Sequence, residues 1–254
     1  MTNEDTKQLI HKVEEATGYK VSIERESIPG ANARMLSAAP GRPSHIIYVA
    51  EDKVAAADYI VATQCVMLLT MWSHPKGVAQ FATLNDKVDY AIRKLENWKG
   101  FSGVDRESVE KVARMLMTGL IQQLNSTPGE MLAIEHCYRH CPTLRAQQEQ
   151  VLAADFRKYT ASFRPDNKKL LPPEIFEKNQ SMCAALALLW AELSGKRSIL
   201  VPYDSVGLTK KGADLLADYR ATTGTDGERM TATVDAWADK LYLRTLFQWN
   251  FRKH

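Results

Sequence analysis

Apolar residues recur along this chain at two intervals, and the change of interval marks out its elements. Near the start, Leu9, Ile10 and Val13 fall on one side of a helix running from about Asp5 to Ala16, which Gly18 stops. Residues 19–24 then alternate, with Val21 and Ile23 between polar neighbours, the pattern of a half-buried strand. Two further β-prone runs, 33–37 and 45–49, flank Pro40-Gly41-Arg42-Pro43 and predict a hairpin. The apolar run from Val54 to Trp72 predicts a helix beginning near Asp52. Beyond residues 74–77 the interval turns helical. Leu84, Val88, Ile92 and Leu95 form one stripe, and Val109, Val112, Leu116, Leu120 and Leu124 form the next, with Asp105 as its cap.

Thr127-Pro128-Gly129-Glu130 has the form of a capping box with proline at the first helical position, so it predicts the start of a new helix that Pro142 ends. Another helix is expected at about Leu144 to Phe163, followed by a loop at 164–169. Pro172-Pro173 opens an apolar helix from Glu174 to Leu193, ended by Gly195. A short strand at 198–201, a helix from about Thr209 and a long final helix bearing Met230, Val234, Trp237 and Leu241 complete the pattern. The expected fold is α+β and mainly helical: one compact domain over 1–254, with a small N-terminal antiparallel sheet and about seven helices. Residues 1–75 would make an α+β portion and 76–254 a helical portion.

Composition narrows the classes. The chain has 254 residues, 45% hydrophobic and 25% charged, which suffices for a packed core. Its 33 basic and 30 acidic residues leave a net charge of +3, which is not the footprint of a protein devoted to nucleic acid. Asp58, Thr63 and Gln64 interrupt the Val54–Trp72 run, so a buried core helix is expected there and no membrane span. The first twelve residues lack the apolar stretch of a signal peptide, and Cys65, Cys137, Cys141 and Cys183 form no secreted disulfide framework. A reducing cytoplasm is the expected setting.

The order helix, strand, hairpin, apolar helix over the first 75 residues or so resembles the minimal zincin domain of ImmA/IrrE-type metallopeptidases. In that family the helix after the strands carries A-H-E-x-x-H, whose two histidines bind zinc while the glutamate activates the metal-bound water. The matching stretch here is Ala62-Thr63-Gln64-Cys65-Val66-Met67. Thr63 and Met67 thus stand at the zinc-ligand positions and Gln64 at the catalytic one. Threonine is no substitute for imidazole, methionine prefers softer metals, and an amide cannot take a proton from water. The resemblance therefore implies a bacterial, degenerate zincin-like protein without the reaction and without a bound cofactor.

Other candidate sites are weighed on the same terms. Glu135, His136 and His140 could hold zinc, since the histidines share a helix face one turn apart. On the helical wheel, however, Met131, Ile134, Cys137, Tyr138 and Cys141 gather opposite them, which sends the histidines to solvent. In the C-terminal tail, Arg244, Trp249, Arg252 and Lys253 could stack on and neutralise single-stranded nucleic acid, or the aromatics could dock the last helix on the core. Neither a P-loop, a G-x-S-x-G nor a G-x-G-x-x-G after a strand is present. The expected function is a non-catalytic interaction or regulatory module that binds a partner protein. A metal-dependent hydrolase with a non-standard site and a nucleic-acid-binding protein are the alternatives. The surroundings of Gln64 discriminate: a closed apolar site fits the module, and an open cleft with converging Glu or His groups fits an enzyme.

Overall fold

The computed structural model describes residues 3–164 and 171–253. Helix α1 (Glu4–Thr17) is capped by the Asn3 side chain and ends at Gly18 in the left-handed region. Strands β1 (Lys20–Glu26), β2 (Ala33–Leu36) and β3 (Ser44–Ala50) follow, then α2 (Ala57–Trp72) after a 3-10 turn. Next come β4 (Val78–Thr83), α3 (Asn85–Glu96), α4 (Arg106–His140) and α5 (Arg145–Ala161). Helices α6 (Pro173–Ser194), α7 (Val201–Ser205), α8 (Thr209–Ala221) and α9 (Asp226–Lys240) lead to β5 (Phe247–Arg252). The α+β, mainly helical expectation holds, with nine α-helices among the described residues. Beyond Arg164, the loop expected at 164–169 lies outside the described residues.

The predicted hairpin is present: β2 pairs antiparallel with β3, placing Met35 opposite Ile47. The other edge of β3 takes β1 in parallel, with Val21 opposite His45 and Ile23 opposite Ile47, so the sheet is mixed, in the order β1-β3-β2. Alternation gives the faces of a strand but not the direction of its neighbour, which explains why only the hairpin's sense could be read. His45 is fully buried in β3 and satisfied. Its Nδ1 accepts the Ala38 N–H at 3.0 Å, which leaves Nε2 to donate to Thr17 Oγ1 at 3.0 Å.

Three expectations need correction. First, no helix begins at Thr127: α4 runs 35 residues straight through Pro128. The missing N–H costs roughly 3 kcal/mol in a helix interior. Against this, Leu120, Leu124, Met131, Ile134 and Cys137 bury one continuous stripe on both sides of the proline. Second, residues 198–201 form no strand but a 3-10 turn leading into α7, with no neighbouring strand to pair with. Third, the segment after Gly77 begins with a strand: β4 pairs antiparallel with β5, the aromatic tail, so Phe81 faces Trp249 and Thr83 faces Phe247. Gly77 makes this closure possible, because a Cβ there would lie 2.3 Å from the Arg252 carbonyl oxygen and φ is +108°.

Two apolar clusters fill the interior. One joins Leu120 and Leu124 of α4 to Met182, Trp237 and Phe247. The other joins Leu9, Val13, Ile47, Tyr59 and Leu68 to Cys137, Leu144 and Val151. Helix α4 serves both. Helix α2, with the turn before it, is long and apolar enough to cross a bilayer, and half of that window is buried here. Its buried residues belong to the second cluster.

Candidate functional site

Helix α2 is apolar on most sides, yet Thr63, Gln64 and Met67 remain only partly buried. Residues i, i+1 and i+4 share a face, and this face looks into a cleft of about 280 Å³ that opens to solvent. Gly30 to Ala33, the lead-in to β2, form one rim, while Glu130 of α4 and Asp155, Lys158 and Tyr159 of α5 face α2 across the space. The rim is tied down: Asn32 Nδ2 donates to Asp155 Oδ2 at 2.9 Å, and the Ala50 N–H donates to the Asn32 carbonyl at 3.0 Å. The site around Gln64 is therefore open, and among the described residues it holds two carboxylates and no histidine.

Of the side chains at the motif positions, only Thr63 is firmly hydrogen-bonded. Thr63 Oγ1 donates to the Ile60 carbonyl at 2.8 Å, the usual turn-back bond of a helical threonine. Gln64 Nε2 approaches Met67 Sδ at 3.9 Å, a weak contact. A hydroxyl already engaged, an amide and a thioether do not make a zinc donor set, so these residues do not fit the family's metal. Among the described residues no three His, Cys, Asp or Glu side chains are grouped to hold a metal.

Glu130 is the most perturbed acid in the cleft. Burial, and secondarily the negative charge of Asp155, push its carboxyl up to about 7. Asp155 is also raised by burial, but the Asn32 amide and the Lys158 ammonium, 3.8 Å away, oppose the shift. Glu130 has no such compensation: no described residue donates a hydrogen bond to it or pairs with it. Burial raises the Tyr159 hydroxyl as well, with Glu130 and Asp155 adding to the effect.

The remaining candidates do not converge. The His136 and His140 rings lie with centroids 4.9 Å apart and planes tilted by 53°, His140 exposed and His136 part-buried. Glu135 turns elsewhere: its Oε2 accepts the Tyr219 hydroxyl at 2.6 Å and its Oε1 pairs with Arg139 at 2.6 Å. Cys137 and Cys141 are buried in the second cluster, as the helical wheel requires, along with Cys65, whose thiol burial pushes up to about 12. The tail residues are drawn inward. Trp249 Nε1 donates to Asp235 Oδ1 at 3.0 Å, Arg244 lies 3.7 Å from the same carboxylate, and Arg252 donates to the Ala38 carbonyl at 2.7 Å. Lys253 stays exposed.

Sequence reasoning assigned Glu130 to a helix cap and passed over Asp155 and Tyr159. A signal was present. Both acids sit inside apolar stripes, Glu130 with Thr127, Ile134 and Cys137, and Asp155 with Val151, Leu152, Phe156 and Tyr159. A carboxylate on the buried face of a helix either has a partner or lines a cavity. No family model, curated protein or solved structure matches this chain.

Proposed function

We propose that this chain is a non-catalytic binding module that receives a segment of a partner protein in the cleft beneath α2, on a zincin-like framework stripped of its chemistry. What carries the reading is the composition of the cleft wall: Thr63, Gln64 and Met67 stand where a zinc hydrolase needs two imidazoles and a carboxylate. The openness of the cleft and its two acids favour instead a second reading, a metal-free acid–base enzyme using Glu130, since a carboxyl near 7 suits proton transfer. Binding is preferred because the acid lacks a nucleophile. The Thr63 hydroxyl already donates to a helix carbonyl, and burial keeps the nearby Cys183 thiol at about 12.

The test screens a random peptide array with the full chain and with Ala31→Trp, which places a bulky side chain at the exposed cleft rim. Peptides that bind the parent chain, lose binding to the variant and emerge uncleaved by mass spectrometry, with or without added zinc, support the module. Cleavage that disappears in Glu130→Gln would move the assignment to the enzyme. Absence of any peptide that distinguishes the two chains would overturn a role for the cleft in partner recognition. Elemental analysis of the purified protein is expected to show substoichiometric zinc.

A further inference from the structure

A second chamber of about 350 Å³ borders the cleft, with Glu130, Lys158, Tyr159 and Leu186 lining both. Its wall is polar, and apart from the Tyr159 hydroxyl and the Lys158 ammonium its donors are already engaged. Gln123 Nε2 donates to the Asn179 carbonyl at 3.1 Å and to Cys183 Sγ, and Asn179 Nδ2 donates back to Gln123 Oε1. Gln180 Nε2 donates to Ser162 Oγ at 2.9 Å and Asn179 Oδ1 at 2.8 Å. Thr127 Oγ1 donates to the Gln123 carbonyl at 2.8 Å. What remains is acceptors. Gln180 is 3% exposed and its Oε1 accepts nothing, and the Glu130 carboxyl is without a partner among the described residues.

We infer that the occupant of this cleft presents an organic cation rich in N–H donors, a guanidinium or an ammonium, to the chamber between Glu130 and Gln180. The inference rests on the cleft being the recognition site. Two acceptors on one chamber call for a donor group, since a buried acceptor without a partner is destabilising. Charge decides which donor. Among the described residues Lys158 is the only cation lining either space; its side chain is half exposed and sits by Asp155, so none of them compensates Glu130. A carboxylate or phosphate would be repelled by Glu130 and Asp155. A neutral amide would satisfy Gln180 Oε1 but leave the Glu130 charge alone.

The groups facing Glu130 are Tyr59 from α2, Asp155, Lys158 and Tyr159 from α5, and Cys183 from α6. Asp155 and Glu130 are the acids of this set, and Asp155 is the better compensated. Cation affinity should therefore follow Glu130 ionisation, rising about fivefold from pH 6 to pH 7 and about tenfold by pH 8, where it levels.

The experiment measures binding to the full chain by calorimetry at pH 6, 7 and 8. Its probes are n-butylguanidinium, n-butylammonium and their neutral isostere n-butylurea, and a cleft-binding peptide bearing arginine or citrulline at one position. The expected result is binding of the cations but not the urea, at least tenfold weaker in Glu130→Gln and without pH dependence there. Gln180→Leu, which keeps Glu130, should weaken guanidinium severalfold and guards against a Glu130 variant that fails to fold. Equal binding of the citrulline and arginine peptides overturns the cation while leaving the partner-segment reading intact. Cation binding with no gain in the arginine peptide over the free guanidinium supports the cation and removes the partner segment. Unchanged cation affinity in both variants overturns the placement at Glu130 and Gln180.

Discussion

Glu130 shows how one side chain couples the cleft to stability. Its carboxyl titrates near 4.5 when unfolded and about 7 in the fold. Between those values the folded chain holds a proton that the unfolded chain has released, so the fold loses stability as pH rises through the window and nothing further above it. The shift corresponds to roughly 3 kcal/mol on the usual 1.4 kcal/mol per pH unit. Glu130→Gln keeps the shape and cannot ionise. Its urea midpoint should exceed that of the parent chain at pH 8 and match it near pH 5. Parallel midpoint curves for the two chains across pH 5–8 would show that Glu130 is hydrated or paired in solution. The same residue thus destabilises the fold at neutral pH.

Helices α6 and α8 approach closely where Gly212 meets Ala184. A Cβ on Gly212 would lie 2.6 Å from the Ala184 Cβ and 2.8–2.9 Å from its backbone and the next nitrogen, none of which can swing away. Gly212→Ala should therefore cost about 1–3 kcal/mol, measured by chemical denaturation. Gly119 is the matched control: it lies inside α4 with nothing near its Cβ direction, and Gly119→Ala should add up to about 1 kcal/mol through helix propensity. If both substitutions proved neutral, the α6–α8 contact would be looser than described. Element pairing of this kind also fixes α4, whose passage through Pro128 depends on the first apolar cluster gripping it on both sides of the proline, with the second adding Ala133 and Cys137.

For the whole molecule, the two ends of the chain close on each other. Strand β5 completes β4, which is 164 residues away at the Thr83–Phe247 pair, and Arg252 reaches the Ala38 carbonyl beside the N-terminal hairpin. Ending the chain at Leu246 should remove the Phe81–Phe247 stack and the Trp249–Asp235 bond and lower the thermal midpoint by several degrees or more. A midpoint unchanged by the truncation would refute this closure. The first 75 residues should not fold by themselves, because their apolar cluster is completed by Ala133, Cys137, Leu144 and Val151. A cooperative thermal transition in the isolated fragment 1–77 would contradict that dependence. Because Arg244, Trp249 and Arg252 are engaged inside this closure, the tail should show no salt-dependent affinity for single-stranded DNA in a filter-binding assay.

The local code of this chain determined the helices whose apolar stripes have clean caps, such as α1 between Asn3 and Gly18 and α6 between Pro172 and Gly195. It also gave the β2–β3 hairpin, because a Pro/Gly turn between alternating runs specifies antiparallel pairing by itself. It identified Thr63, Gln64 and Met67 as one helix face, because spacing along α2 needs no tertiary knowledge. Tertiary structure decided the rest. The parallel partner of β3 and the β4–β5 pair are contacts between distant segments, and alternation is blind to strand direction and to partner. The capping box at Thr127 has the right residues for a helix start, but burial on both sides of Pro128 outweighed that local preference. Glu130 became a cleft residue for the same reason: its sequence neighbours describe a cap, and only the packing of α2, α4, α5 and α6 leaves it facing an open space without a partner.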